Sequence, residues 1–276
     1  ALGVTSVLVG ASAAQAAITF DPDGVGGAAA IANVGGFDWA PGNVLSVGGQ
    51  AAVNNLLATT PVFADGNGNA FFNNSNPGDA NFQFTSYYQA KLGQLQLTTG
   101  GSADPQGWEI TVVAKVRETL TSVLVQGGQA TASFDVVADP ENYIEIYAHR
   151  IGDVGTTVAN DLAGTGFNDG NLILKGVIDG GASSFTRDLL AATQNLDGFG
   201  SDNYPTIDSV VSALGSVTIQ PLHVDVTFLD NDYFNSALES FSLAFIATSQ
   251  VPFSVTDPSA NFLVNSGTTA EGVAPS

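Results

Sequence analysis

Apolar and polar side chains trade places every second residue along much of the chain, the period that sends successive side chains to opposite faces of a β-strand. Residues 82–92 run into Gln94-Leu95-Gln96-Leu97, which alternates strictly. Residues 108–117 are β-branched and half-alternating. Two further runs, 120–125 and 130–137, flank Gly127-Gly128, the residue pair of a tight hairpin. Residues 142–149 alternate again, and Glu145, between Ile144 and Ile146, falls on the polar face, expected to be solvated. Later strands are predicted over 171–178, 216–229 and 240–248, the last setting Phe241, Leu243 and Phe245 against Ser240, Ser242 and Ala244.

Helical periodicity is scarce. Residues 206–214 carry the best pattern, with Pro205 at the start, Ile207, Val210, Val211 and Leu214 on one face, and Gly215 to end it. Residues 157–162 offer one short turn. Asn and Gly fill connections such as Asp65-Gly66-Asn67-Gly68-Asn69 and Asn73-Asn74-Ser75-Asn76-Pro77-Gly78, where both suit tight turns. Many short strands with turn signals and few helices predict an all-β fold, an antiparallel two-layer β-sandwich of jelly-roll-like kind. No interior linker divides it, so residues 17–262 are expected to form one domain.

The ends read differently. Residues 1–16 are apolar and uncharged and finish in Ala14-Gln15-Ala16, the small-residue pattern of a secretory cleavage site, so they read as a signal-peptide remnant. The alternatives are a buried element of the mature fold and a strand donated to a neighbouring subunit. Residues 263–276 are small, polar and aperiodic, the composition of a flexible tether. No run of about 20 apolar residues predicts a membrane span. A secreted protein, extracellular or held at the cell surface, is expected.

Charge narrows the partners. The chain carries 26 acidic residues against 6 basic ones, a formal charge of -20. So few cations argue against nucleic acid, whose phosphates need clustered Lys and Arg, and against an anionic membrane surface. With no cysteine, neither disulfides nor thiolate metal sites are available.

Several segments resemble a known family. Phe20-Asp21-Pro22-Asp23-Gly24-Val25-Gly26-Gly27 and Phe37-Asp38-Trp39-Ala40-Pro41-Gly42-Asn43-Val44-Leu45 are similar to the start of flocculation-associated proteins of the PEP-CTERM class. Phe84-Thr85-Ser86-Tyr87-Tyr88-Gln89-Ala90-Lys91-Leu92 and Asp257-Pro258-Ser259-Ala260-Asn261-Phe262 resemble it too. The resemblance implies export from a Gram-negative, exopolysaccharide-producing bacterium, sorting by an exosortase, and residence at the surface or in the matrix. The family's C-terminal Pro-Glu-Pro motif, apolar helix and basic tail do not occur in these 276 residues.

Candidate chemistry is sparse. Asp21 and Asp23, and likewise Asp230 and Asp232, place carboxylates two residues apart beside turn residues, a spacing that suits a structural Ca²⁺ and equally suits side chains that shape turns. Asn168-Asp169-Gly170-Asn171 and the 65–69 loop are weaker versions. Sugar faces stack on exposed aromatics, which makes Trp39, Tyr87 and Tyr88 the candidate glycan contacts, with Tyr143, Tyr147 and Tyr233 also available. Aromatics at strand spacing, Tyr143 and Tyr147 among them, are equally expected in the core. Glycoside hydrolysis would need two carboxylates about 5–10 Å apart, with Glu145 one candidate. No G-x-S-x-G elbow, phosphate-binding loop or dinucleotide fingerprint occurs, and His149 and His223 both fall in strand-like runs, His223 expected to be partly buried. The expected function is therefore a non-catalytic structural or adhesive protein of a bacterial extracellular matrix that promotes aggregation. Its partners would be exopolysaccharide, or further copies of itself joined by edge-strand addition into filaments. The alternatives are a glycan-binding surface module and an extracellular polysaccharide hydrolase.

Overall fold

The computed structural model describes residues 18–26, 29–40, 43–59, 63–64, 66, 68–160, 165–188, 215–235 and 237–249. Fourteen strands, every pair antiparallel, join in one sheet. They are β1 Ile18–Phe20, β2 Ile31–Trp39, β3 Asn43–Val47, β4 Phe63–Ala64, β5 Ala70–Asn73, β6 Gln83–Leu97 and β7 Ser102–Ala103. There follow β8 Trp108–Gln126, β9 Gln129–Val136, β10 Tyr143–Arg150, β11 Asn171–Gly180, β12 Ala182–Asp188, β13 Gly215–Leu229 and β14 Ser240–Ser249. One α-helix, α1 Gly49–Thr59, sits between β3 and β4.

The path is simpler than the count. β9 and β10 succeed each other along one edge of β8, and β5 and β6 succeed each other along its other edge. β11 and β12 likewise share one edge of β13, whose other edge carries β14. The sheet is thus a meander of long strands, several of them broken once near the middle. Two breaks hold a proline, which has no N–H for a ladder, Pro77 between β5 and β6 and Pro140 between β9 and β10, and the third holds Gly181 at φ 130° between β11 and β12.

At the β9–β10 break a side chain replaces the missing backbone. Asn142 is 1% exposed, and its Nδ2 donates to the carbonyls of Val137 (2.9 Å) and Ile178 (3.0 Å). Its Oδ1 accepts from Arg117 N at 2.8 Å. Around it Val136 N donates to Gly181 O and Val137 N to Arg117 O. Three neighbouring strands are therefore tied through one amide.

The sheet curls until its first strand meets the turn between β13 and β14. Asp21 N donates to Tyr233 O (2.8 Å), Asn235 N to Thr19 O (3.3 Å) and Thr19 N to Asn235 Oδ1 (2.8 Å). Inside the curl Phe20 packs edge-on to Phe37 at 5.3 Å and tilted on Phe234 at 5.4 Å, while Phe37 stacks on Trp39 at 5.8 Å. Ile110, Val112, Ala114 and Val116 of β8 face the same interior, as do Ile144, Ile146 and Ala148 of β10. Burying each of the larger side chains is worth about 1.5–3 kcal/mol. A second apolar cluster lies beyond it, where Ala52 and Leu56, four apart on α1, meet Phe72, Phe84, Leu120, Val123 and Ala132.

The all-β, antiparallel expectation holds, in the form of one sheet curled into a half-barrel. The Gly127-Gly128 hairpin joins β8 to β9 as expected, with Gln126 opposite Gln129. Residues 108–117 and 120–125 merge into β8, and 82–92 and 94–97 into β6. Helix α1 was not foreseen. The helix expected at 206–214, the leader 1–16 and the tether 263–276 lie outside the described residues, and 157–160 form no helical turn.

Replacing Asn142 with Ala removes its bonds to one buried and two half-buried backbone groups, each costing about 1 kcal/mol. Urea unfolding of Asn142→Ala should show a loss of about 3 kcal/mol, and a loss under about 1 kcal/mol would contradict the role given to this side chain.

Candidate functional site

The three rings expected to stack on sugars do not reach solvent. Trp39 is 1% exposed, Tyr87 2% and Tyr88 8%. The reason is strand geometry. Trp39 ends β2 with its indole on Phe37 inside the curl. Tyr88 alternates into the core beside Ala114 and its hydroxyl donates to Glu118 Oε2 at 3.2 Å. Tyr87 takes the other face, opposite Lys115. None of the three offers a free ring face to a glycan.

Glu118, which with Glu109, Glu141, Glu145 and Glu239 makes up the few glutamates among residues 1–262 available for acid–base chemistry, is a buried carboxylate. It is 2% exposed at the junction of the two apolar clusters, held by Tyr88 and by the Ser183 hydroxyl, which donates to Oε1. Burial raises its carboxyl above the ordinary value, against the lowering effect of hydrogen bonds from Ser183, Ser86 and Tyr88. Burial and the Glu118 charge also push the Tyr88 phenol up. The signal was present in the sequence. Ile110, Val112, Ala114 and Val116 face inward, so two-residue alternation carries Glu118 inward with them.

The acidic pairs Asp21, Asp23 and Asp230, Asp232 do come near one another, because Tyr233 N donates to Asp230 O and Tyr233 O accepts from Asp21 N. The carboxylates of Asp21, Asp23 and Asp230 are engaged in shaping turns. Asp21 Oδ2 accepts from Gly26 N (2.6 Å), Asp23 Oδ1 from Val25 N (3.1 Å) and Asp230 Oδ1 from Asp232 N (3.0 Å). Burial, then contact with Asp23, raises the Asp21 carboxyl.

A convergent ligand set lies elsewhere. Among the described residues Asp179, His223 and Asp225 bring one ligand atom each within 4.8 Å of one another. His223 Nδ1 is 2.7 Å from Asp179 Oδ1, and Nε2 is 3.9 Å from Asp225 Oδ1. Strand register explains the set. His223 and Asp225 are two apart on β13, and an irregularity between Ile178 and Gly180 sets Asp179 beside them. His223 is therefore exposed, not partly buried as expected. One imidazole and two carboxylates suit a divalent transition ion, and the short His223–Asp179 contact is equally a satisfied ion pair.

A third arrangement occupies the face of the sheet opposite the core. Register aligns Tyr87, Lys115 and Tyr143 in one row, Gln89, Val113, Glu145 and Lys175 in the next, and Lys91, Thr111 and Tyr147 in a third. Glu145, expected in solvent, is 5% exposed. Its Oε1 accepts from Lys175 Nζ and its Oε2 from the Tyr147 hydroxyl, both at 2.7 Å. Lys175 also lies 5.7 Å from the Tyr143 ring centroid. Burial, then the Glu145 charge, push the Tyr143 phenol well above its ordinary value. Tyr143 and Tyr147 thus share a face with Glu145, away from the apolar interior.

No family model, curated protein or solved structure matches the chain.

A carboxyl whose folded value is raised stabilises most below its ordinary value of 4.5 and loses that contribution as pH rises through the folded value. Glu118→Gln should therefore melt increasingly above the parent protein as pH is raised from 4.5 toward 8. A difference independent of pH, or largest in acid, would contradict the assignment.

Proposed function

We propose that the chain is an exported, non-catalytic structural or adhesive protein of a bacterial extracellular matrix, promoting aggregation through divalent cations, Ca²⁺ foremost. The observation that carries this reading is where the cations go. Of 6 basic side chains, Lys91 donates to Ala159 O, Lys115 pairs with Glu141, Arg117 with Asp139 and Lys175 with Glu145. With four of six basic groups held by partners within the chain, a chain of -20 offers its surroundings a predominantly acidic surface.

Two such surfaces repel each other and repel acidic polysaccharide, so cohesion calls for a bridging cation. The resemblance to flocculation-associated proteins supports the matrix setting, and the Ala14-Gln15-Ala16 pattern supports export. Edge-strand addition supplies a second joint, since among the described residues β14 pairs only with β13. The glycan-module alternative loses the Trp39, Tyr87 and Tyr88 rings on which it rested.

Light scattering of the secreted protein should report association at about millimolar Ca²⁺, the range of extracellular calcium modules. A chelator should reverse it, and NaCl of equal ionic strength should not reproduce it. Monomers throughout the calcium series would contradict the proposal.

A further inference from the structure

Beneath the loop that joins β10 to β11, two buried side-chain atoms without hydrogen-bond partners, His149 Nδ1 and Asp169 Oδ1, lie 4.0 Å apart. His149 on β10 is 4% exposed and stands directly opposite Glu109 on β8. Its Nε2 is 3.3 Å from Glu109 Oε2, which also accepts from Ala159 N at 2.9 Å. A neutral ring that donates Nε2–H to Glu109 leaves the Nδ1 lone pair bare. Nδ1 has no hydrogen-bond partner, and 4.0 Å away lies Asp169 Oδ1, buried and equally without one. The other Asp169 oxygen is fixed by Thr157, whose N donates at 2.8 Å and Oγ1 at 2.7 Å. Gly170 leaves room beside them. A Cβ there would lie 3.2 Å from His149 Nδ1 and 2.8 Å from Ala148 O, so a side chain would fill the space toward which nitrogen and carbonyl converge.

Charge states what the gap takes. Two carboxylates, Glu109 and Asp169, flank one buried imidazole, and the nearby Lys91 stands on the Glu109 side, bonded to Ala159 O. On the Asp169 side, no Lys or Arg among the described residues pairs with the carboxylate. We infer that His149 Nδ1 and Asp169 Oδ1 bind one divalent ion of the class that favours imidazole with carboxylate, Zn²⁺ in chemistry, with Glu109 holding the ring in the required tautomer. Zn²⁺ sits about 2.0–2.2 Å from such ligands, which in a tetrahedral shell lie about 3.4 Å from each other, so the pair 4.0 Å apart closes by roughly half an ångström when the ion binds. The Ala148 carbonyl and water complete the shell. Ca²⁺ and Mg²⁺, which prefer all-oxygen shells, are disfavoured. The ion clamps the loop to the sheet, since Asp169 belongs to the loop and His149 to β10. That loop presents Ile151, Val154 and Val158 to solvent, so the clamp fixes how this apolar group is displayed.

The site is independent of calcium-driven association and is tested separately. The full chain carrying His223→Ala, which removes the exposed Asp179–His223–Asp225 set, is stripped with a chelator and titrated with Zn²⁺ by calorimetry and with Co²⁺ by visible absorption. The expected result is one ion per chain with a Co²⁺ absorption band. Asp169→Asn in the same background should weaken binding about tenfold or more while leaving chelated melting unchanged, because the amide oxygen still accepts from Thr157. Zn²⁺ should also slow proteolysis within 151–160. No binding below about 1 mM Zn²⁺, or affinity unchanged by Asp169→Asn, would overturn the inference and leave a bridging water in the gap.

Discussion

A β-strand that stops short leaves N–H and C=O groups without partners, and buried groups of that kind cost too much to leave open. This sheet stops β9 and resumes with β10 in its middle, at Asp139-Pro140. The Asn142 carboxamide closes the gap with two donated bonds and one accepted, to residues on three neighbouring segments. Everything outward depends on that repair. It keeps β8 in register with both halves of the next strand, which aligns Ile110 to Val116 with Ile144 to Ala148 and builds the interior. The same register sets the rows that bring Glu145 to Lys175 on the other face.

The scarcity of cations shapes the rest. With 6 basic residues against 26 acidic ones, the four cations with a described partner are each held by an acceptor within the chain. Lys175 satisfies a Glu145 that is almost wholly buried, and Lys115 and Arg117 hold Glu141 and Asp139 beside the Asn142 joint. Where no cation is at hand, the fold either raises a carboxyl above its ordinary value, as burial does for Glu118, or sets two unpartnered polar atoms 4.0 Å apart, as at His149 and Asp169. The acidic surface that remains is the physical ground of the proposed cohesion through divalent ions.

Local pattern was legible where structure is local. The alternation of 82–97 and 108–126 marked β6 and β8, and Gly127-Gly128 marked their hairpin neighbour, because strand period and turn chemistry act over a few residues. Burial was less legible. Alternation places Tyr87 and Tyr88 on opposite faces, and here both faces are covered, so neither ring stays exposed. Helix α1 escaped notice because its apolar pair, Ala52 and Leu56, is short and set among Asn and Gln, and it gains from packing on Phe84 and Leu120 what its own sequence lacks. The approach of the Asp21 turn to the Asp230 turn spans about two hundred residues of chain, a separation no local signal encodes.

The repaired break makes one direct demand on the molecule, that its amides behave as sheet interior and not as loop. Hydrogen exchange followed by NMR at Arg117, Val136 and Val137 reads this residue by residue. Protection equal to that of Val112 to Ala114 in the middle of β8 is the predicted result. Exchange at the rate of an open loop would mean that the two halves of the sheet are not joined through Asn142.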